Sequence, residues 1–428
     1  MPQRDLRNYN TSVWTRAQAR KIQLDNPTTT QPLVDYFFPQ MSNKDVWIWD
    51  TMPLRDLNNK ICSINGWNVM FTLTSIKDYT LLNSDGNYDP VADFNNRHGK
   101  AFMALWFCRD AKSWVYGGRV TKDGVNGGTD KREWAGTPIL VDDKGNVDLY
   151  YTVPTGNTVT IKNENAFIKK SKGKLYTNDN GVFVDTYFTS SNTLITADGK
   201  YYQTKEQRSD TNFRDPAPFI NPQDGRLYML FEGQIALPES EHYITSKEIG
   251  YAPPNFSYVD GDRSKSACIG IAVAKDLSGD EWELLPPLIS SLGVQDQMER
   301  PHLVFKDGKV YVFTISHVWS GGSGLNFSDG VYGFVSDNLF GEYKPLNGSG
   351  IVLGNPLSNK FQTYSHYVMQ DSWVVTSFLA SAKKSGSPNR VGGVEARSVR
   401  LVLDGNETYM TEELDYGYMP ATKDVSLK

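Results

Sequence analysis

Along this chain the apolar residues fall in short dense runs, without the three- and four-residue steps of an amphipathic helix. Runs rich in Tyr, Phe and Val follow Gly-containing corners, most of them Asp-Gly. They occupy residues 145–152 (GNVDLYYT), 198–204 (DGKYYQT), 224–233 (DGRLYMLFEG) and 307–317 (DGKVYVFTISH). Such corners allow the positive φ of a tight hairpin, and aromatic or β-branched residues suit a pleated surface. Each segment therefore predicts a turn leading into a strand. Further strands are predicted at 46–50 (VWIWD), 66–74 (GWNVMFTLT), 100–108 (KAFMALWFC) and 371–380 (DSWVVTSFLA).

A loose repeat of strand, turn and strand over the whole length fits radially arranged antiparallel sheets, an all-β propeller. A β-sandwich is the other solution, and the spacing is too irregular to count blades. No linker is visible, so 1–428 is read as a single domain. The Gly/Ser/Asn-rich stretch 316–329 predicts a rim loop, and the C-terminal 415–428 is expected to pack back on the body.

Composition adds exclusions. Net charge is −5 without a Lys/Arg cluster, which argues against nucleic acid or an anionic membrane as partner. No run of about 18 apolar residues predicts a membrane span. Aromatic residues, 12% of the chain, supply a large core and also suit the flat faces of sugars. Cys62, Cys108 and Cys268 are far apart and read as small buried apolar residues. His98, His242, His302, His317 and His366 show no paired ligand spacing, and 348–354 lacks a dinucleotide fingerprint. Neither metal nor cofactor is expected. The N-terminus is polar and lacks the apolar run of a signal peptide.

Three carboxylates stand in unusual settings. Asp50 follows an apolar run and precedes Pro53; an Asx turn is the plain reading. Asp215 precedes Pro216, which predicts an extended backbone and a side chain aimed across the sheet, with Arg214 on the opposite face. Glu299 precedes Arg300, which Pro301 is likewise expected to hold extended. A salt bridge or a solvated acid is the plain reading of these two. Together the three match the needs of glycoside chemistry: a nucleophile, an acid/base about 5 Å away, and a third carboxylate to steady the oxocarbenium-like state.

At these residues the chain resembles the levansucrases of glycoside hydrolase family 68, the Gram-negative group in particular. The matching stretches run from 12–22 (SVWTRAQARKI) and 25–35 (DNPTTTQPLVD) through 47–56 (WIWDTMPLRD), 65–74 (NGWNVMFTLT) and 132–140 (REWAGTPIL). They continue at 212–216 (NFRDP), 227–233 (LYMLFEG), 272–279 (AVAKDLSG), 296–302 (DQMERPH), 329–337 (DGVYGFVSD), 363–369 (TYSHYVM) and 415–428 (DYGYMPATKDVSLK). The resemblance implies a five-bladed propeller with a central funnel. It makes Asp50 the nucleophile, Asp215 the transition-state stabiliser and Glu299 the acid/base. It also places Trp49 and Trp134 about the fructosyl unit, and Arg132, Arg214 and Gln297 as hydrogen-bonding neighbours of sucrose. His317 falls on the glucosyl side, where transfer is weighed against hydrolysis, and Tyr364 is a further subsite residue.

The resemblance thus implies sucrose cleavage with transfer of fructose to fructan, fructo-oligosaccharides, sucrose or water, by a monomer exported without a recognisable leader. A mainly hydrolytic invertase, an inulosucrase and a non-catalytic sugar-binding propeller are the alternatives. Residues 206–211 (EQRSDT) and 318–327 (VWSGGSGLNF) depart from the pattern, as does Met298 where relatives often carry Thr. The two stretches would border acceptor sites, so they bear on product length.

Overall fold

The turns divide the strands into five antiparallel sheets, the blades of a five-bladed β-propeller. The computed structural model describes residues 11–34, 42–121, 132–154, 166–251, 260–384 and 387–428; the first ten residues of the polar N-terminus lie outside them. The innermost strands are Val46–Pro53, Trp134–Leu140, Arg214–Ile220, Glu299–Lys306 and Thr363–Val368, in blades I to V. Blades pack on both faces, so their strands are apolar almost throughout. Phe102–Cys108, buried at every position, is the clearest case.

Most predicted strands form: Asn146–Pro154, Leu227–Gln234, Lys309–Ser316, Trp67–Ile76 and Val374–Lys384 all lie on predicted runs. Residues 198–204 do not. There the Asp198 carboxylate accepts the backbone N–H groups of Lys200, Tyr201 and Tyr202 at 2.8–3.1 Å, capturing donors that a ladder would use. Tyr202 instead buries its ring against Phe213 and Phe231.

Both chain ends act as straps. Ser12–Val13 lies parallel to the outer edge of blade III, and the Trp14 indole donates to the Ser349 carbonyl of blade IV at 2.9 Å. Lys423–Val425 pairs with Cys62–Ile64 of blade I, and the Trp114 indole donates to the Gly417 carbonyl at 2.8 Å. The C-terminus thus packs back as predicted. Cys62, Cys108 and Cys268 are buried and free. Among the described residues no helix is long and apolar enough to cross a membrane.

Candidate active site

The five inner strands share one irregularity. Each carries one residue too many for its neighbour, immediately after Trp49, Trp134, Arg214, Glu299 and Tyr364. The inserted residues are Asp50, Ala135, Asp215, Arg300 and Ser365. A bulge of this kind re-aims side chains and bends the strand. Its mark is positive φ at Asp50 (44°), Asp215 (62°), Arg300 (45°) and Ser365 (59°). Aspartate tolerates this region better than most residues, whereas Arg300 and Ser365 have to be held in it.

Several expectations fail here for that one reason. Asp215 and Arg300 are left-handed and not extended, because the bulge overrides the preference of a residue before proline. Arg214 and Asp215 do not point to opposite faces; both line one central cavity. Asp50 closes neither strand nor Asx turn, since the strand continues to Pro53.

That cavity, of about 130 Å3, is lined by Trp49, Asp50, Trp134, Arg214, Asp215, Gln297, Glu299, His317 and Tyr364, joined by Arg97, His98 and Arg300. It is smaller than the clefts of several hundred Å3 that enclose drug-sized ligands, and suits a single sugar ring with the remainder toward the mouth. Arg132 stands behind this wall, its guanidinium 5.8 Å from the Trp134 ring centre. A larger cavity, about 740 Å3, opens at the other end of the inner strands beside Leu140 and Ile220, and holds none of the three motif carboxylates.

Hydrogen bonds fix the acids in place. Arg214 donates through Nε to Glu232 at 2.5 Å and through Nη2 to Glu299 at 2.6 Å. The Tyr364 hydroxyl donates to the second oxygen of Glu299. Asp215 accepts the Arg300 backbone N–H at 2.9 Å, while its own N–H donates to the Thr152 hydroxyl at 2.8 Å. Arg300 donates to the carbonyl of Thr51 at 2.5 Å, to that of Ser365 at 3.1 Å and to the Ser365 hydroxyl. It therefore ties the bulges of blades I, III and V together.

Burial raises the Asp50 carboxyl above the usual range, against the pull of Arg300 and a hydrogen bond from Ser365, and the charge of Glu299 adds to the rise. Asp215 is raised by burial too, opposed by Arg214 and assisted by Glu299 and Asp50. The three carboxylates therefore feel one another, as groups around one substrate must. His317 donates through Nδ1 to the Asp329 carboxylate at 2.9 Å, and its other ring nitrogen lies 4.0 Å from Glu299. Burial alone would lower its pKa, but Asp329 reverses the sign and raises it. His98, edge-on to Trp49 and Trp134, is held well below its ordinary value by burial and by Arg97, so it is neutral.

Two buried polar atoms of the wall find no partner among the described residues: the Trp49 indole N–H and the Gln297 side-chain oxygen. An unmet buried donor or acceptor costs about 1–3 kcal/mol. A polyhydroxy ligand, able to accept and donate, would satisfy both.

Arg97, His98, Glu232, Arg300, Asp329 and Ser365 were not singled out in the sequence as members of the site. Glu232 carried a usable signal, an acid closing an apolar run in LYMLFEG, like Asp50. Arg97 and His98 sit in a short 3-10 turn, Asn96–Lys100, that no local pattern marks.

The chain matches the Levansucrase/Invertase family model over residues 4–420. It belongs to glycoside hydrolase family 68. The levansucrase of Erwinia amylovora is 50% identical over 424 residues, 98% of this chain and 99% of the relative. The β-fructofuranosidase catalytic domain of Microbacterium saccharophilum K-1 superposes with a TM-score of 0.85 at 32% identity, covering 97% of this chain and 95% of that one. The levansucrase structure from Gluconacetobacter diazotrophicus gives 0.84 at 29% identity, covering 99% and 95%.

His302, of the family stretch DQMERPH, supports the bulge from behind. One ring nitrogen faces the Arg300 carbonyl at 2.9 Å and the other accepts the Val368 N–H at 2.9 Å, which fixes a neutral tautomer. Burial depresses its pKa to about 3. An unfolded histidine takes up a proton below about pH 6.5, so stability is lost as pH falls from there toward 3. The thermal midpoint is expected to drop between pH 7 and pH 4, and His302→Gln to flatten that drop. An unaltered slope in the variant would remove His302 from the account.

Proposed function

We propose that this protein is a levansucrase: it cleaves sucrose, releases glucose and transfers the fructosyl unit to a fructan, to sucrose or to water. The observation that carries the proposal is the convergence of Asp50, Asp215 and Glu299 on one cavity in a chain half identical to a levansucrase over its full length.

In this reading the Asp50 carboxylate attacks the anomeric carbon of the fructosyl ring while Glu299 gives its proton to the glycosidic oxygen. The carbon–oxygen bond breaks and glucose leaves. The hydroxyl of an acceptor then attacks the fructosyl-enzyme, Glu299 takes its proton, and the ester to Asp50 is released. Asp215, held by the Arg300 N–H, faces the positive charge that builds in between. Trp49 and Trp134 wall the fructosyl ring, Gln297 and Arg214 meet its hydroxyls with Arg132 behind them, and His317 and Tyr364 border the glucosyl side. As a maker of extracellular polymer the protein would work outside the cell; culture fractionation tests that.

Incubation with concentrated sucrose tests the reaction. More glucose than free fructose is expected, with the difference in fructan or oligosaccharide. Equal amounts at every sucrose concentration would leave a hydrolase, and unchanged sucrose a mere binding protein. Substituting His317 with alanine is expected to change the fructose-to-glucose ratio several-fold while the fold persists, because its ring is partly exposed in the cavity wall beside Glu299. A wild-type ratio would refute that role.

A further inference from the structure

Among the residues that line the cavity, one large aromatic side chain is unusually open. Trp319 is 57% exposed although its neighbour Ser320 is fully buried. It sits on the short 3-10 turn Val318–Ser320 that leaves His317, at the start of the Gly-rich stretch 318–327. The Trp319 ring stacks on His317 with centroids 5.0 Å apart at 21°, and His317 stacks on Tyr364 at 3.7 Å and 18°. Tyr364 in turn bonds Glu299. A continuous pile of three rings thus leads from the acid/base glutamate to the surface, and Trp319 ends it.

The platform is rigid. The backbone N–H of Asp296 donates to the Ser320 carbonyl at 3.0 Å, and Gly322 N–H to the Val294 carbonyl at 2.8 Å. Buried Arg16, from the N-terminal strap, donates to the Ser323 carbonyl at 2.5 Å and pairs with Asp262 at 2.7 Å. Asp262 also accepts the Ser323 N–H at 2.8 Å. One indole face is covered by His317; among the described residues no ring covers the other, and no protein acceptor takes its N–H. A flat apolar face with a free donor at its edge, fixed beside a sugar site, suits the face of a sugar ring and one of its hydroxyls.

We propose that Trp319 is the platform on which the acceptor's sugar ring stacks at the mouth of the active site. The proposal rests on the fructosyl-transfer reading above. The ligand is a neutral sugar, from either a fructan end or a second sucrose.

The test compares wild type with Trp319→Ala and Trp319→Phe, measuring transfer to an added fructo-oligosaccharide as a function of its concentration, and in parallel to sucrose alone. In Trp319→Ala the half-saturating oligosaccharide concentration is expected to rise about threefold to tenfold, with shorter products and more free fructose. Trp319→Phe should recover most of the loss. A shift confined to the sucrose-only arm would place sucrose, not fructan, on the ring. An unchanged acceptor dependence in Trp319→Ala overturns the proposal. So does slower glucose release with unchanged acceptor dependence, which would make Trp319 a prop for His317. A wild type that releases no glucose would instead defeat the underlying reading.

Discussion

Asp50→Asn is expected to lower glucose release from sucrose by at least about 10^4-fold, because no other group in the cavity is assigned to form the fructosyl ester. Fold loss would be a trivial cause, and the thermal midpoint tests for it. Burial raises the Asp50 carboxyl in the folded state, so its ionisation works against folding as pH climbs above the unfolded value near 4. A neutral amide removes that burden. At pH 7 the thermal midpoint of Asp50→Asn should equal or exceed the wild type's. Activity within tenfold of wild type would assign the nucleophile elsewhere; a collapsed midpoint would mean that Asp50 holds the fold.

Glu299→Gln is expected to lower glucose release by about 10^2- to 10^4-fold, the usual worth of a positioned proton donor. The size should depend on the leaving group. With fructosyl fluoride, whose fluoride departs without needing a proton, the first step should largely recover. Transfer to an acceptor hydroxyl should stay slow, since the amide cannot take its proton. Equal losses with both donors would show that the substitution had disturbed Arg214 or Tyr364, the hydrogen-bond partners of Glu299, and that the proton itself was not missing.

How legible was this site? The all-β class was plain from runs such as KAFMALWFC, whose unbroken apolarity reflects a strand covered on both faces. Of the strands laid out, only residues 198–204 gave way, to an aspartate side chain that took the backbone donors. Asp50, Asp215 and Glu299 stood out as carboxylates at the mouths of apolar strands, and the motifs around them implied their roles. Arg97 and His98 were missed because a turn of the kind they occupy is common on any surface. Arg300 was seen, but as a residue stretched by Pro301; its role as the tie among three blades needed partners from Thr51, Ser365 and Asp215.

By themselves, then, the residues determined what was local: which segments are strands, which acids are out of place, and, through ordered motifs, which family the chain joins. Convergence was decided by tertiary structure alone. Alternation in a regular strand sends neighbours to opposite faces, so no pattern could place Arg214 beside Asp215 or Trp49 beside Asp50. One extra residue at the axis of each blade does so, and in four of the five that residue is left-handed, a conformation held by the partners that other blades supply.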